Sequence, residues 1–407
     1  MLIVQKFGGS SVANAQRIMN VARRITETYK AGNRVVVVLS AQGDTTDDLL
    51  EKAAEINPEA SKRELDMLLA TGEQQSVALM AMAIQSLGYQ AISLNAAQVG
   101  IVSSSTYANG RIKRIETDRV GLELDRRNIV IITGFQGINR YGDVTTLGRG
   151  GSDTSAVALA AALHADLCEI YTDVDGVYTA DPRIVTNAWK MDEISYDEML
   201  ELASLGAKVL QNRSVEMAKK YNVRLVVRSS MSDAEGTVVK EESKMESMFV
   251  SGVAVDKDIS RIAIVGIKDA PGMAFNVFSL LAKNKISVDI ILQSIGRDNV
   301  KDISFTVAKT DVKDAMRLLE ENAGRLKYES LSCDSNIAKL SVVGAGMATN
   351  PGVASMMFEA LFDAGVNIDM ISTSEIKISV LVDEKDAVHG ANAVHDKFMG
   401  DNASRSR

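Results

Sequence analysis

The sequence predicts an α/β protein in three parts: a three-layer domain with a mostly parallel sheet, followed by two smaller ferredoxin-like modules. Two observations predict this organisation. In the first half of the chain, short runs rich in β-branched residues alternate with stretches that carry apolar residues at helical spacing. In the second half, Pro271–Ser294 aligns with Pro351–Ser374 at a constant offset of 80, with eight identities and no gap, which indicates a duplicated module.

The first domain takes its predicted elements from these patterns. Apolar runs without alternation, typical of strands covered on both faces, predict strands at Leu2–Phe7, Val35–Leu39, Ile129–Thr133, Leu167–Thr172 and Val223–Val227. Helical spacing predicts helices at Val12–Thr28, Glu64–Leu87, Thr154–Ala165 and Tyr196–Tyr221. A polar, charged stretch from Ser229 to Glu246 then marks a boundary, so we expect this domain to cover residues 1–245.

The repeat predicts two βαββαβ modules that interlock. The first copy, residues 261–335, reads strand, helix, strand, strand, helix, strand. The second copy lacks its last strand, because the tail from Gly400 to Arg407 cannot form one. A spare strand, Phe249–Val255, precedes the first copy. We therefore expect residues 249–256 to cross over and complete the second module with residues 336–407.

Composition excludes several classes of protein. The 407 residues carry a net charge of −8, so no basic field is present to attract nucleic acid or an anionic membrane. The N-terminus does not resemble a signal peptide, and no apolar run approaches the ~18 residues that a membrane span needs. Cys168 and Cys333 are isolated and are expected to be small core residues in a reducing compartment. We expect a cytoplasmic protein that binds neither nucleic acid nor membrane.

Two glycine-rich turns are the first candidate sites. Lys6-Phe-Gly-Gly-Ser-Ser11 ends the first strand, where paired glycines let backbone N–H groups approach an anion and Lys6 adds a cation for phosphate. Gly148-Arg-Gly-Gly-Ser-Asp-Thr154 opens the alanine-rich helix, and Arg149 offers a planar fork suited to a carboxylate. Each turn alone is also compatible with a plain strand-to-helix connection. Because strand ends at one edge of such a sheet converge, the two turns can face one another across a crevice.

Two further sets of polar residues follow strand ends or lie in helices. Thr172-Asp-Val-Asp-Gly-Val-Tyr-Thr-Ala-Asp-Pro-Arg183 directly follows a strand, and its Asp, Tyr and Arg side chains are suited to a nucleotide, although a surface acidic loop is the alternative. Ser40 and Thr45 follow the second strand and Glu73 lies in a helix, so these three can form one polar wall of a substrate pocket; Lys208 is a further candidate. Each of these residues alone is also compatible with a solvated surface residue or a cap.

These segments resemble those of a known family. The three motifs Lys6–Ser11, Leu147–Thr154 and Thr172–Arg183 are similar to signature segments of the aspartokinases, in the amino-acid-kinase superfamily. The tandem repeat, with Ser372-Thr-Ser-Glu-Ile-Lys-Ile-Ser-Val-Leu-Val382, is similar to the paired ACT domains of that family. The resemblance covers essentially the whole chain and implies an amino-acid-kinase-like domain followed by two ACT modules. One departure is Lys208-Val-Leu-Gln-Asn-Arg213, where many members have His-Pro after Val-Leu; it bears on the subgroup and not on the activity.

The resemblance also implies site residues, carried over position by position. It implies that ATP lies against Lys6, Phe7, Gly8, Gly9, Thr172, Asp173, Tyr178, Asp181, Arg183 and Lys208. It implies that L-aspartate lies against Ser40, Thr45, Glu73, Arg149, Gly150, Gly151 and Ser152. The implied catalytic residues are Lys6, Arg149, Asp173 and Lys208. The reaction is then ATP-dependent phosphorylation of aspartate, the first step toward lysine, threonine and methionine, with Mg²⁺ bridged through the phosphates and no separate protein metal site.

The duplicated modules imply feedback inhibition by lysine, threonine or both. The matched effector positions are Asp269, Pro271, Gly272, Met273, Ala274, Ser287, Val288, Asp289, Gln293, Asn367 and Ile368. Sheets of this kind join edge to edge, so a homodimer is expected. The resemblance also raises a heterotetramer with a short regulatory subunit started internally at Met245 or Met248.

Two alternatives stay open at this point. Another enzyme of the superfamily, such as acetylglutamate kinase or glutamate 5-kinase, shares the glycine turns but is not expected to carry the repeat. A non-catalytic amino-acid sensor is disfavoured by the intact Lys6, Arg149 and Asp173.

Overall fold

The computed structural model describes residues 1–205, 209–241, 249–296, 298–348 and 350–400. The chain divides into two compact units. The first contains Met1–Tyr178 and the chain that resumes at Lys190; the second contains Thr179–Trp189 and the described residues from Phe249 onward. The predictions for Lys208, Met245 and Met248, and for the tail beyond Gly400, concern residues outside the described ranges.

The first unit contains twelve strands and eight helices among its described residues. Its strands are β1 (Leu2–Phe7), β2 (Arg34–Leu39), β3 (Ala91–Leu94), β4 (Ile101–Ser103), β5 (Ile112–Ile115), β6 (Ile129–Thr133), β7 (Gln136–Ile138), β8 (Val144–Thr146), β9 (Leu167–Thr172), β10 (Glu193–Ser195), β11 (Leu225–Ser229) and β12 (Thr237–Lys240). Its helices are α1 (Ala15–Lys30), α2 (Thr45–Ile56), α3 (Lys62–Ser86), α4 (Ala96–Val99), α5 (Asp118–Asp125), α6 (Gly151–Ala162), α7 (Tyr196–Ser204) and α8 (Asn212–Tyr221).

An eight-stranded sheet forms the centre of this unit, in the order β10-β12-β11-β9-β1-β2-β6-β3. All neighbours are parallel except β11 and β12. Val35 and Val37 of β2 pack with α1 and α3 on one face, and α6 packs against β1, β2 and β9. Because successive side chains of a strand point to opposite faces, helices cover both sides of the sheet, which confirms the predicted three-layer fold.

Two features of the first unit differ from the prediction. A second sheet, in the order β5-β4-β7-β8, was not predicted, because its strands have only three or four residues and give no readable alternation. The single helix predicted over Tyr196–Tyr221 is wrong: α7 ends at Ser204 and α8 begins at Asn212. Apolar spacing continues through both helices, so periodicity alone did not reveal the break.

The second unit consists of the two modules. Its strands are β13 (Gly252–Asp256), β14 (Ile259–Lys268), β15 (Ile291–Gln293), β16 (Val300–Ala308), β17 (Ser330–Asp334), β18 (Ile337–Val343), β19 (Met370–Thr373) and β20 (Lys377–Asp383). Its helices are α9 (Met273–Lys283), α10 (Val312–Glu321), α11 (Ala323–Leu326), α12 (Val353–Asp363) and α13 (Ala387–Met399). They form two antiparallel four-stranded sheets, β15-β16-β14-β17 and β13-β18-β20-β19.

Strand β13 pairs with β18, from Gly252 opposite Val343 to Asp256 opposite Lys339. The strand before the first copy of the repeat is thus the fourth strand of the second copy's sheet. Cys168 is fully buried in β9, as predicted, whereas the prediction for Cys333 is wrong, because it lies exposed on the edge strand β17. Within the described part of the chain, no helix is long and apolar enough to cross a membrane.

Candidate active site

The carboxyl ends of four neighbouring strands meet at one edge of the large sheet. The register pairs Phe7 of β1 with Leu39 of β2 and with Tyr171 of β9, and Leu39 with Thr133 of β6. Backbone hydrogen bonds continue past the strand ends, from the Gly8 N–H to the Tyr171 carbonyl at 3.4 Å and from the Ser40 N–H to the Phe7 carbonyl at 3.2 Å. The segments that carry the predicted site residues therefore leave the sheet side by side.

The first glycine turn is packed tightly against the segment that follows β2. A Cβ atom on Gly9 would lie 2.6 Å from the Ala41 carbonyl oxygen, and the Gly43 N–H donates to the Gly9 carbonyl at 3.0 Å. Only a residue without a side chain fits this approach. Phe7 is fully buried and stacks on Tyr171, with ring centroids 4.5 Å apart, which fixes the end of β1.

Lys6 connects the two glycine turns. Its Nζ lies 2.6 Å from Oδ1 of Asp153, in the first turn of α6, and both side chains are 11% exposed. The carboxylate oxygen is buried and this contact is an ion pair rather than a well-aligned hydrogen bond. A cation thus lies between the two turns, close to the start of α6, and the N-terminal end of a helix attracts anions.

The second glycine turn, Gly148–Ser152, begins α6. Gly148 and Gly150 have φ values of 79° and 68°, in the left-handed region that favours glycine. Ser152 lies against Gly134, just past β6, where a Cβ atom would be 2.7 Å from the serine Cβ. Arg149, between these two glycines, has its side chain exposed to solvent.

Glu73 of α3 is a buried carboxylate with one free oxygen. It is 2% exposed, and its Oε1 accepts the Ala41 N–H at 3.0 Å, whereas its buried Oε2 has no hydrogen-bond partner among the described residues. Burial raises the pKa of Glu73 from 4.5 to about 7, and the bond from Ala41 opposes this rise only in part. Next to it, the site of a Cβ on Gly72 lies 3.4 Å from Thr45 Cγ2, so α3 brings Glu73 to the Ser40–Thr45 segment as predicted.

The segment after β9 is divided between the two units. In the first unit, the Thr172 hydroxyl donates to Asp173 at 3.0 Å and the Tyr178 hydroxyl donates to Asp175 at 2.9 Å. Burial, and then the bond to Asp175, raises the pKa of Tyr178. Asp181 and Arg183 belong to the second unit, where their 2.7 Å ion pair lowers the pKa of Asp181.

The structure therefore brings together Lys6, the two glycine turns, the Ser40–Thr45 segment, Glu73 and the start of the Thr172 segment. Sequence analysis gave Asp153 only as part of the second glycine-rich motif and did not predict its contact with Lys6. The signal was present, since a carboxylate in the second motif and a lysine in the first are both expected at the same sheet edge.

Comparison with known proteins gives three consistent results. The model of the amino acid kinase family matches residues 1–229, and the ACT domain model matches residues 262–322 and 340–398. The chain is 51% identical over 404 residues to an aspartokinase of Corynebacterium glutamicum, covering 98% of this chain and 96% of that protein. The chain belongs to the aspartokinase family.

Solved structures agree with this assignment. Crystal structures of E. coli aspartokinase III in complex with aspartate and ADP (R-state), and with lysine and aspartate (T-state), both match with a TM-score of 0.79 at 26% identity. They cover 98% of this chain and 100% and 99% of those chains. Membership of the aspartokinase family confirms the predicted enzyme class, a kinase that phosphorylates aspartate. It also confirms the predicted ACT domains, which fit feedback inhibition.

The two ACT modules of this aspartokinase repeat each other's helix starts. Helices α9 and α12 each follow a glycine in the left-handed region, Gly272 with φ 88° and Gly352 with φ 104°. Of the implied effector residues, Asp269 to Ala274 lie at the start of α9, Ser287 to Asp289 precede β15, Gln293 ends β15, and Asn367 with Ile368 precede β19.

Reciprocal ion pairs connect the two modules. Arg261 of β14 lies 3.7 Å from Asp369 of the second copy, and Lys339 of β18 pairs with Asp289 of the first copy. The Lys339 side chain is only 4% exposed. Asp269 is paired as well, with Lys301 at 2.9 Å. Asp269 and Asp289, two of the implied effector residues, thus each have a protein cation beside them already.

Proposed function

We propose that the edge formed by β1, β2, β6 and β9 is the site at which ATP and L-aspartate react. The observation that carries this proposal is the Lys6–Asp153 contact, because it joins the two glycine turns at one point. The first glycine turn, at Gly8 and Gly9, and the Lys6 ammonium hold the ATP phosphates on one side of that point. The start of α6, with Arg149, lies on the other side.

The nucleotide is held on the side of β9. Phe7 and Tyr171 form the buried floor under the first turn. Thr172, Asp173 and Tyr178, the exposed end of β9 and the segment after it, line the nucleotide. The family resemblance adds Asp181, Arg183 and Lys208 to the nucleotide-binding set; Asp181 and Arg183 belong to the second unit, and Lys208 lies outside the described residues.

Aspartate is held by two opposite charges. The free Oε2 of Glu73 binds the α-ammonium group, because a buried carboxylate oxygen without a partner gains most from a cation. Arg149 binds a carboxylate of the substrate through its planar fork. The backbone of Gly150 and Gly151, and the hydroxyl groups of the remaining residues of the set, Ser40, Thr45 and Ser152, supply neutral hydrogen bonds.

The chemistry needs no general base. A side-chain carboxylate with a pKa near ~3.9 is already ionised at neutral pH, so one of its oxygens attacks the γ-phosphorus directly. The bond to the bridging oxygen breaks, which gives 4-phospho-L-aspartate and ADP. Catalysis is then alignment and charge neutralisation: Lys6 stabilises negative charge on the phosphates, and Asp153 holds the Lys6 ammonium in place. Mg²⁺ bound with ATP would neutralise further phosphate charge, and Asp153 in the second turn and Asp173 directly after β9 carry the oxygen donors that it prefers.

The test is the Arg149→Ala variant, assayed by trapping the acyl phosphate with hydroxylamine as the hydroxamate. We expect the aspartate KM to rise about tenfold to hundredfold, with a much smaller change in the ATP KM. Arg140→Ala, an exposed arginine of the same unit that stacks on Tyr141, is the control and should behave as wild type. An unchanged aspartate KM in Arg149→Ala would remove Arg149 from this role.

We also infer regulation, assembly and location. Lysine, threonine or both bind at the start of α9 and the segments before β15 and β19, where helix N–H groups take the α-carboxylate. The E. coli aspartokinase III complex with lysine supports this class of effector. The edge strands β15 and β19, whose Ile291 and Ile371 are 48% and 41% exposed, support a homodimer, with a heterotetramer as the alternative. We expect the enzyme to act in the cytoplasm, where it can draw on ATP and aspartate.

A further inference from the structure

The backbone that leads into the Arg149 turn is held by two side chains from distant parts of the first unit. One is Asp66, in the second turn of α3, and the other is Arg213, in the first turn of α8. The comparisons assign a role to neither residue, and no motif contains Asp66. Both contact the same two backbone segments, the Tyr107–Gly110 loop and the end of β8 with Leu147.

Asp66 is a fully satisfied buried carboxylate. It is 0% exposed, and it accepts four hydrogen bonds. The Ala108 N–H donates to both oxygens, at 3.1 and 2.9 Å, and Thr146 donates its N–H at 2.9 Å and its hydroxyl at 2.7 Å. A buried charge is tolerated where donors surround it in this way. Asp66 therefore ties the loop to the end of β8, one residue before Leu147.

Arg213 supplies the complementary set of bonds. Its guanidinium donates to the Leu147 carbonyl at 2.6 Å, to the Gly110 carbonyl at 3.0 Å and to Oδ1 of Asn109 at 3.4 Å. Arg213 forms no ion pair among the described residues. Its guanidinium is therefore bonded to these three neutral oxygens. The loop and the turn are also bonded directly, from the Gly110 N–H to the Thr146 carbonyl at 2.7 Å.

The position of Arg213 is unfavourable for the helix itself. A cation in the first turn of a helix lies at the positive end of the helix dipole. Burial, followed by the neighbouring charge of Arg111, lowers the pKa of Arg213, so the environment penalises its charge. The three oxygens that Arg213 reaches explain why an arginine is present at this unfavourable position. The planar guanidinium bonds them from two separate nitrogens, whereas a lysine has all its donors on one nitrogen.

The start of α8 also contacts the glycine turn itself. A Cβ atom on Gly150 would lie 1.7 Å from Cγ of Gln211, and one on Gly148 would lie 3.2 Å from the Ala108 carbonyl. The turn thus has Gln211 on one flank and the loop on another, and Arg213 bonds both that loop and Leu147. Any shift of α8 or of the loop must move the backbone on either side of Arg149.

We propose that Asp66 and Arg213 are positioning residues, which clamp the Tyr107–Gly110 loop to Thr146 and Leu147 and thereby orient the Arg149 turn for aspartate. This inference rests on the proposed role of Arg149. In this proposal, neither Asp66 nor Arg213 contacts the substrate. Each acts through the backbone that leads directly into the Arg149 turn. Losing either bond set lets the turn rotate, which weakens aspartate binding more than nucleotide binding.

The test is a double-mutant cycle on the full-length enzyme with Arg213→Met, Arg213→Lys, Asp66→Asn, Arg149→Ala and the Arg149→Ala/Arg213→Met double variant. We expect Arg213→Met and Asp66→Asn each to raise the aspartate KM about tenfold, with the ATP KM changed less than about threefold. Arg213→Lys should fall between wild type and Arg213→Met, because one ammonium replaces only part of the fork. Arg23→Met, an exposed arginine that bonds Asn20 of its own helix, is the control.

The decisive comparison is between the effect of Arg213→Met in the wild-type enzyme and its effect in the Arg149→Ala variant. If Arg213 acts through the Arg149 turn, its substitution should change the aspartate KM by less than about twofold once Arg149 is alanine. Equal factors in both backgrounds, or a wild-type KM in Arg213→Met, would overturn the inference. An Arg149→Ala variant with a wild-type aspartate KM would instead defeat the proposed role of Arg149 itself. If Arg213→Met does not fold, the same cycle is run with Arg213→Lys.

Discussion

Two buried carboxylates on one helix, Asp66 and Glu73 of α3, have opposite surroundings. They are seven residues apart and are 0% and 2% exposed. Asp66 accepts four hydrogen bonds, whereas Glu73 accepts one backbone N–H and leaves Oε2 without a partner. Two turns of the same helix thus separate a carboxylate with a full set of hydrogen bonds from one whose hydrogen bonds are incomplete.

The difference teaches how burial can be interpreted at this site. A satisfied buried charge contributes to the native structure, because removing it leaves its donors without partners. An unsatisfied buried charge is a cost to the native structure, and the raised pKa of Glu73 is the direct sign of that cost. A charged group of a ligand that bonds such a carboxylate offsets this unfavourable free energy when the ligand binds. On this view Asp66 should govern stability and the shape of the turn, and Glu73 should govern affinity.

The largest expected effect is on stability, in the Asp66→Asn variant. An asparagine keeps one acceptor oxygen but places an NH₂ group against the Ala108 and Thr146 N–H donors, so at least one buried donor loses its bond. We expect the free energy of unfolding to fall by about 3 kcal/mol, measured by urea titration followed through loss of kinase activity and far-UV circular dichroism. The matched Glu73→Gln variant should change it by less than about 1 kcal/mol. Similar losses in the two variants would break the distinction.

Sequence analysis predicted the location of Glu73 but not the role of Asp66, because only the first follows from a pattern in the sequence. Buried parallel strands give continuous apolar runs, so Leu2–Phe7, Ile129–Thr133 and Leu167–Thr172 were predicted residue for residue. Since parallel strands end at a common edge, the residues that follow them were correctly expected to meet. Asp66 bonds backbone 42 and 80 residues away, and Arg213 bonds backbone 66 and 103 residues away. Backbone partners carry no side-chain signature, so no local pattern indicates such contacts.

The second effect is on aspartate affinity, in the Glu73→Gln variant. The amide keeps the shape of the side chain but loses the charge that binds the α-ammonium group, and a hydrogen bond to a charged group contributes about 1.5–3 kcal/mol. We expect the aspartate KM to rise about tenfold to hundredfold at pH 8 with saturating ATP. Glu64→Gln, an exposed position near the start of the same helix, should leave both KM values unchanged. A KM within twofold of wild type in Glu73→Gln would assign the ammonium to another group.

The smallest effect, and the most specific to Glu73, is the pH dependence of aspartate binding. With a pKa of about 7, Glu73 is largely protonated below that pH in the free enzyme, and a neutral carboxyl group does not attract an ammonium group. Binding must then expel a proton, so the aspartate KM should rise about tenfold for each pH unit below 7 and level off above it. Ionisation of the aspartate carboxyl groups does not contribute to the pH dependence of KM in this range, because both groups ionise well below pH 5.5. The measurement is the KM between pH 5.5 and 7.5.

Unfolding provides an independent check on the same group. Because the folded pKa of Glu73 lies above the unfolded value of 4.5, the native state holds the proton between pH 4.5 and 7, and its contribution to stability falls as pH rises through that window. Glu73→Gln should remove both this fall and the slope of KM against pH. If the variant keeps the KM slope, another group titrates on aspartate binding; if the wild type shows no slope, Glu73 is already ionised and is not the costly half-satisfied carboxylate that its surroundings indicate.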